Sequence, residues 1–325
     1  MHDLEGREVD YLRISITDRC NLRCIYCIPQ GVTLACCKQN EYLTKEELFK
    51  VVKVAASVGI TKVKLTGGEP LLRKDIVALV KGIKEIEGIQ QVTLTTNGIL
   101  LDTYGKALVE AGIDAVNISL DTLNRKKYAA LTGYDGLSKV LKGIHILKEA
   151  GLKKIKLNAV PLKDMNEQEI SELVQFAKQE QLILRFIELM PFGGGKAFLG
   201  ISKQEIIEIL ERNYGTLIPY HNTLGNGPAQ YYTLQTKDVK IGFIHAVSQH
   251  FCNTCNRVRI TCEGYLKLCL HSNKGIDLKP YLASSEKTLE EVMRQAIQNK
   301  PKQHQFNHVT QVQQLEDKMM SQIGG

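Results

Sequence analysis

The 325-residue chain contains no tryptophan, and aromatic residues make up only 6% of it. No stretch approaches the roughly 18 consecutive apolar residues that a membrane span needs, which excludes a helical membrane protein. The opening residues, MHDLEGREVDYL, carry neither a basic n-region nor an apolar h-region. No secretory signal is therefore expected, and the cytoplasm is the expected location. Low-complexity tracts are also missing. What remains is 43% hydrophobic and 24% charged, the composition of an ordinary globular protein with ample core. The length allows one large domain or two modest ones.

Nine cysteines stand out against that background, at positions 20, 24, 27, 36, 37, 252, 255, 262 and 269. A reducing compartment keeps thiols free, so no disulfide framework is expected. Their concentration in two groups far apart in the chain favours metal or iron–sulfur ligation. The formal net charge of +7 points to an anionic partner. It does not choose between nucleic acid, an acidic surface and a phosphorylated small molecule.

Six segments read as buried strands: residues 11–17, 62–67, 91–96, 115–121, 154–160 and 182–189. Helical stretches lie between most of them, one starting at the N-cap candidate Thr44 and stopping at Gly59. Strand and helix alternating through short connections predict parallel βα units, in an incomplete barrel or an open doubly wound sheet. Six units are too few for the eight of a closed barrel. In five of the strands one face is apolar and the other polar, with period two. The polar set includes Arg13, Ser15, Lys64, Thr66, Thr93, Thr95, Asn117, Ser119, Lys156 and Asn158. A parallel sheet covered on both faces reads as continuously apolar, so this alternation predicts a wet cavity on one side. The sixth strand, with Arg185 and Glu188 on opposite faces, does not settle into the pattern. Beyond residue 200 a helix, antiparallel hairpins, the second cysteine group, a helix near 286–298 and a polar tail are expected. The predicted organisation is a partial-barrel core over 1–200 and a C-terminal region over 201–325.

Cys20, Cys24 and Cys27 follow the first strand with C-x3-C-x2-C spacing, and Tyr26 precedes the last of them. Iron–sulfur clusters are normally held by four thiolates. Three leave one iron open, and an open position binds substrate or cofactor. Zinc with a distant fourth ligand is the alternative. TGGEP (66–70) closes the second strand, a weak signal alone because paired glycines are common in strand-to-helix turns. Gly67 and Gly68 let backbone approach a ligand closely, and Glu69 offers acceptors to an ammonium group. The second group is C-x2-C-x13-C, formed by Cys252, Cys255 and Cys269. On spacing alone zinc and iron–sulfur are even choices there, with His271 or Cys262 able to complete a zinc set. Arg257 and Arg259 sit two apart beside it, on one face of an extended stretch, as in a phosphate clamp. Cys36, Cys37 and Cys262 have no assigned role.

The three-cysteine loop resembles the radical S-adenosylmethionine superfamily. That resemblance implies a 4Fe-4S cluster whose open iron chelates the methionine amino and carboxylate groups, and reductive cleavage to a 5′-deoxyadenosyl radical. It also implies S-adenosylmethionine contacts at Tyr26, Gly67, Gly68, Glu69, Thr96, Asn97, Ser119 and Met190. Over essentially its full length the chain further resembles the GTP 3′,8-cyclases of molybdenum-cofactor biosynthesis. The motifs that carry this are LRISITDRCNLRCIYC, KLTGGEPLLR, LTTNGILL, NISLDTL, KLNAVPLKDMNEQEI, RFIELM, VSQHFCNTCNRVRITCEGYLKLCL and the terminal IGG.

The fold implied by the resemblance is α/β, an incomplete (βα)6 TIM-like barrel with a C-terminal α+β extension. Two 4Fe-4S clusters are implied at its opposite ends, one on Cys20, Cys24 and Cys27, the other on Cys252, Cys255 and Cys269. The second binds the guanine of GTP. GTP contacts carry over to Arg13, Lys64, Thr95, Lys156, Arg257 and Arg259, four of them on the polar strand face. Gly324 and Gly325 are implied to reach the active site and assist radical initiation. Lys64 stands where an arginine is usual, keeping the charge and losing the bidentate fork. Ile28 replaces a usual methionine, and MPFGGGKAF is shorter and richer in glycine than the typical segment.

The implied reaction converts GTP to 3′,8-cyclo-7,8-dihydro-GTP. Hydrogen is abstracted from the 3′ carbon, the sugar radical attacks C8 of guanine, and reduction follows. A reduced donor such as flavodoxin or ferredoxin and a downstream cyclic pyranopterin monophosphate synthase are the implied protein partners. A homodimer is allowed, while membrane and nucleic acid are not expected. Two alternatives stay open: a peptide-modifying radical enzyme with an auxiliary cluster, and a zinc module whose basic face engages RNA. The first tends to carry more than three C-terminal cysteines, and the second lacks aromatic stacking motifs here.

Overall fold

The computed structural model describes residues 1–28, 41–191, 193–248, 251–303 and 320–323. Its centre is one sheet of 12 strands. In chain order these are β1 (Tyr11–Ser15), β2 (Lys62–Thr66), β3 (Gln91–Thr96), β4 (Ala115–Ser119), β5 (Ile155–Ala159) and β6 (Ile183–Ile187). The C-terminal part adds β7 (Ile218–Tyr220), β8 (Gln230–Thr233), β9 (Lys240–Ile244), β10 (Arg257–Ile260), β11 (Tyr265–Lys267) and β12 (Gly275–Asp277). Across the sheet the order is β12-β11-β10-β1-β2-β3-β4-β5-β6-β9-β8-β7. All pairings from β10 to β9 in that order are parallel. Beyond them, the outer strands at each end pair antiparallel.

The six parallel strands expected from sequence therefore gain two more. β10 adds beside β1 and β9 beside β6, while among the described residues nothing pairs β9 with β10. The barrel is incomplete, and its C-terminal region is built into the same sheet.

Six helices lie between the first six strands: α1 (Lys45–Ser57), α2 (Ile76–Lys84), α3 (Leu101–Glu110), α4 (Arg125–Thr132), α5 (Leu137–Glu149) and α6 (Ile170–Gln179), with α4 and α5 both between β4 and β5. Then come α7 (Lys203–Tyr214), α8 (Glu286–Gln298) and the short α9 (Met320–Ile323). Local chemistry sets the boundaries of α1. Thr44 Oγ1 accepts from the Glu47 N–H at 3.1 Å, and the Glu47 carboxylate accepts from the Thr44 N–H at 2.8 Å. This reciprocal pair satisfies amides left unpartnered at a helix start. Gly59, at φ +99°, turns the chain towards β2 through a conformation that other residues rarely adopt.

The period-two pattern sorts as the sequence predicts. Leu12, Ile14, Val63, Leu65, Val92, Leu94, Val116, Ile118 and Leu157 are fully buried in the core shared with the helices. Each such side chain contributes about 1.5–3 kcal/mol by leaving water. Their polar neighbours, apart from Ser15, take the opposite face and line a cavity of about 640 Å³. Among the described residues no helix is long and apolar enough to cross a membrane.

Candidate active site

Two sets of thiols face this cavity from opposite ends of the parallel strands. Cys20, Cys24 and Cys27 follow β1, at the strands' C-terminal end. Cys255 precedes β10, whose first residue, Arg257, is level with Tyr11 at the start of β1. β11 then runs back with Lys267 opposite Arg259, which returns Cys269 to that same N-terminal end.

The first cysteine loop is held by its own turn and by α4. Cys27 and Ile28 both donate their N–H to the Cys24 carbonyl, at 2.9 and 2.8 Å. Arg23 and Ile25 donate to the Thr132 and Leu131 carbonyls at the end of α4. Tyr26 Oη donates to Asp121 Oδ2 at 2.6 Å, anchoring the loop to the exit of β4. Burial pushes the Cys20 thiol up to about 11 and that of Cys27 to about 12. Cys24 is raised too, by burial first and then by Cys27 and Asp121. Such thiols stay protonated until a bound cation displaces the proton, as iron–sulfur ligation does.

TGGEP packs on the exit of β1. The Gly68 N–H donates to the Thr17 carbonyl at 2.8 Å and the Glu69 N–H to the Arg19 carbonyl at 2.7 Å. A Cβ on Gly67 or Gly68 would collide with those same carbonyl oxygens. The close approach permitted by the missing side chains is thus to the Thr17–Arg19 backbone, and it leaves both glycines on the cavity wall. Glu69 is fully buried behind the loop. Its carboxylate accepts from Leu71 N–H at 3.0 Å, Thr96 Oγ1 at 2.7 Å and Asn97 N–H at 2.7 Å. It braces Thr96 and Asn97, which do line the cavity together with Tyr26, Ser119 and Met190.

The other half of the cavity is cationic. Register places Arg259, Arg13, Lys64 and Thr93 in one row across β10, β1, β2 and β3. A second row runs Thr95, Asn117 and Lys156 across β3, β4 and β5. Arg257 enters from the start of β10. Among the described residues, nine Lys and Arg line the cavity, against two carboxylates, Asp121 and Glu188. Both carboxylates stand at the C-terminal end of the strands, away from these rows. Burial lowers Arg13 to about 10, with Arg257 and Arg185 adding to the shift. Lys156 is lowered to about 7 by burial and by Arg185 and Lys154. Lys64 falls well below its usual range, by burial and then by Arg13, Arg185 and Lys156. Cations crowded this closely lower one another's proton affinity and favour an anion in the space between them.

Three further cations lie on this wall that the strand pattern does not reveal. Arg185 of β6 donates from Nε and Nη2 to Asn158 Oδ1 at 2.9 and 2.6 Å, and points inward beside β5. Ile183 and Ile187 flank it on the same face, so β6 reads as apolar on both sides and hides its inward residue. Lys267 and Lys300 complete the set near the second cysteines.

Burial pushes the Cys255 thiol upward, but the charges of Arg257 and Lys300 overcome that and hold it down at about 7. Cys262 is buried off the cavity wall and does not join Cys252, Cys255 and Cys269. Among the described residues no three Cys, His, Asp or Glu side chains converge tightly enough for a single metal ion. Near the first set, the buried hydroxyls of Thr66 and Ser321 have no hydrogen-bond partner among the described residues, and both residues line the cavity. Thiols that face a polar cavity, with donors left over, fit a bound inorganic group and its ligand. Cys36, Cys37, Gly324 and Gly325 lie outside the described residues; α9, which leads to the two glycines, places Met320 and Ser321 on the wall.

Comparison with known proteins bears on this geometry. The Radical SAM superfamily profile matches residues 14–177, and that described as Molybdenum Cofactor Synthesis C matches residues 182–306. A GTP 3′,8-cyclase of Clostridium perfringens is 44% identical over 328 residues, covering 100% of both chains. The chain belongs to the GTP 3′,8-cyclase family. Another GTP 3′,8-cyclase, from Alkaliphilus oremlandii, is 43% identical over 333 residues, again covering 100% of each chain. Streptococcus suis SuiB bound to S-adenosylmethionine shares the fold, with a TM-score of 0.65 and 17% identity over 90% of this chain and 68% of that one. Each cysteine set falls within one of the two matched profiles. An iron–sulfur cluster and S-adenosylmethionine are the cofactors that the radical family brings to the first.

Proposed function

We propose that this chain is a GTP 3′,8-cyclase, converting GTP to 3′,8-cyclo-7,8-dihydro-GTP for molybdenum-cofactor biosynthesis. One observation carries the reading: two three-thiol sites face each other along one cavity, and among the described residues the space at one end is lined by cations without a carboxylate. Cys20, Cys24 and Cys27 would hold the cluster that binds S-adenosylmethionine; Cys252, Cys255 and Cys269 would hold a second 4Fe-4S cluster, beside the guanine. When bound, the first cluster and S-adenosylmethionine supply a 5′-deoxyadenosyl radical.

The chain's own contribution is binding, orientation and exclusion of water. Arg13, Lys64, Lys156, Arg257 and Arg259 take the triphosphate, each charge-assisted hydrogen bond contributing about 1.5–3 kcal/mol. Lys156 donates its ammonium hydrogen to the Leu224 carbonyl and exchanges that carbonyl for phosphate oxygen. Thr95 and Asn117, joined at 3.4 Å, offer neutral partners beside it. Between the two ends the ribose is held with its 3′ carbon towards Ser119, Asn97 and Met190. Gly324 and Gly325 would assist radical initiation. The partners that go with this chemistry are a reduced flavodoxin or ferredoxin and a cyclic pyranopterin monophosphate synthase, in the cytoplasm.

Anaerobic reconstitution with iron and sulfide tests the reading. About eight irons per chain, with GTP binding that depends on the second cysteine set, is expected for two four-iron clusters. Four irons, or GTP binding indifferent to Cys252, Cys255 and Cys269, contradicts it.

A further inference from the structure

Lys300 is a buried lysine with an unusual set of neighbours. It is 5% exposed, lies two residues beyond α8, and lines the cavity at the end that holds the second cysteine set. Its Nζ donates to the Leu268 carbonyl at 2.8 Å. Leu268 precedes Cys269 in the chain, and the Lys300 charge acts on the Cys255 and Cys269 thiols. The two carboxylates on the cavity wall, Asp121 and Glu188, are at the opposite end. A buried ammonium needs a compensating charge, and sulfur is what this one faces.

The backbone at Lys300 is fixed to the same cysteine loop. Arg7 and Asp3, both buried, form an ion pair of 2.7 Å between Nε and Oδ2. From there Arg7 Nη2 donates to the Lys300 and Pro301 carbonyls at 3.1 and 2.8 Å. Arg7 Nη1 donates to the Cys252 and Lys302 carbonyls, both at 3.0 Å. One guanidinium thus holds the Cys252 loop and the Lys300 backbone in register, which sets where the ammonium meets the thiols.

We propose that Lys300 is a positioning residue for the iron–sulfur group on Cys252, Cys255 and Cys269, its fixed positive charge raising that group's reduction potential. Reduction adds negative charge to a cluster, and a cation or hydrogen-bond donor at its sulfurs favours that state. The inference rests on the reading that this cysteine set holds such a group. The competing role is structural: a lysine that merely caps the Leu268 carbonyl.

The test isolates the second site in the full chain by replacing Cys20, Cys24 and Cys27 with alanine. This parent is reconstituted anaerobically and compared with the same chain carrying Lys300→Met or Lys300→Arg. Iron is counted, and the midpoint potential is followed by electron paramagnetic resonance. The parent is expected to hold about four irons. The Met chain is expected to titrate at a more negative potential, and the Arg chain to return towards the parent. Should Met abolish iron binding, recovery of iron in the Arg chain supports the fixed charge, and loss in both overturns it. A Met chain that keeps its iron at the parent's potential leaves Lys300 a structural cap and overturns the inference alone. A parent without iron removes the reading of the second site, and the inference with it.

Discussion

Arg13 and Arg259 stand directly opposite one another across the parallel pair of β1 and β10, both turned into the cavity. Arg259 is 7% exposed, and its proton affinity is lowered by burial first and then by Arg13 and Arg257. The fold brings these like charges together through residues 246 positions apart, and together they favour a polyanion in the space they face.

Removal of either clamp arginine therefore weakens substrate. Arg257→Ala and Arg259→Ala are each expected to reduce GTP affinity about tenfold to a hundredfold, from the loss of one charge-assisted bond. Calorimetric titration of the anaerobic protein measures this. Unchanged affinity in both variants would remove the phosphate from this end.

Arg185 belongs to the same site although its strand gives no sign of it. Arg185→Leu is expected to weaken GTP by a similar factor, and Asn158→Ala by less, since Asn158 only steers the guanidinium. The same titration, with folding checked by circular dichroism, decides between a ligand contact and a strand-to-strand brace.

Lys156 gives the binding a pH dependence. Its pKa in the free protein is about 7, and a bound triphosphate favours the charged form. Binding must then take up a proton above that pH, so affinity falls as pH rises, by up to about tenfold per unit for one proton. Lys156→Arg stays charged throughout and flattens the profile. An equally steep profile in that variant assigns the titration to another group.

Glu69 makes an opposite kind of statement about stability. Burial raises its carboxyl from 4.5 to about 7. A raised folded pKa means that the native state holds the proton longer than the unfolded chain does. Its contribution is present in full below pH 4.5 and is lost as pH rises through about 7. The loss is on the order of 3 kcal/mol, at about 1.4 kcal/mol per unit. Urea unfolding of the parent and of Glu69→Gln, compared pH by pH, should show a difference that grows across that window. A constant difference contradicts the account of this carboxylate.

The tail offers a cleaner separation of binding from chemistry. The Ser321 backbone is close enough to lower the Cys27 thiol against the push of burial, so α9 meets the first cysteine loop. A chain ending at Ile323 is expected to bind GTP normally and to lose cyclase turnover. Full turnover would return Gly324 and Gly325 to the status of a frayed end.

Much of this site is legible in the sequence, for a physical reason. In β1 to β5 the inner residues are polar and the outer ones apolar, so period two betrays a cavity on one face. Arg13, Lys64, Thr95 and Lys156 fall on that face, and the cysteine spacings mark its two ends. In β6, Ile183 and Ile187 share the inner face with Arg185, and the alternation disappears. β9 and β10 look like members of local hairpins, because their parallel partners, β6 and β1, lie far away in sequence. Nothing local to TGGEP shows that Glu69 turns behind the loop to Thr96 and Asn97. Lys300 is equally silent, since it acquires its neighbours only when α8 and the segment of Arg7 close on the second cysteines.

Isotope transfer tests the central claim most directly. GTP carrying deuterium at the 3′ carbon is incubated anaerobically with the reconstituted protein, S-adenosylmethionine and reductant, and the 5′-deoxyadenosine is weighed by mass spectrometry. One deuterium is expected in the 5′-deoxyadenosine, formed together with a cyclised GTP product. Unlabelled 5′-deoxyadenosine, released while GTP is recovered intact, would contradict the claim.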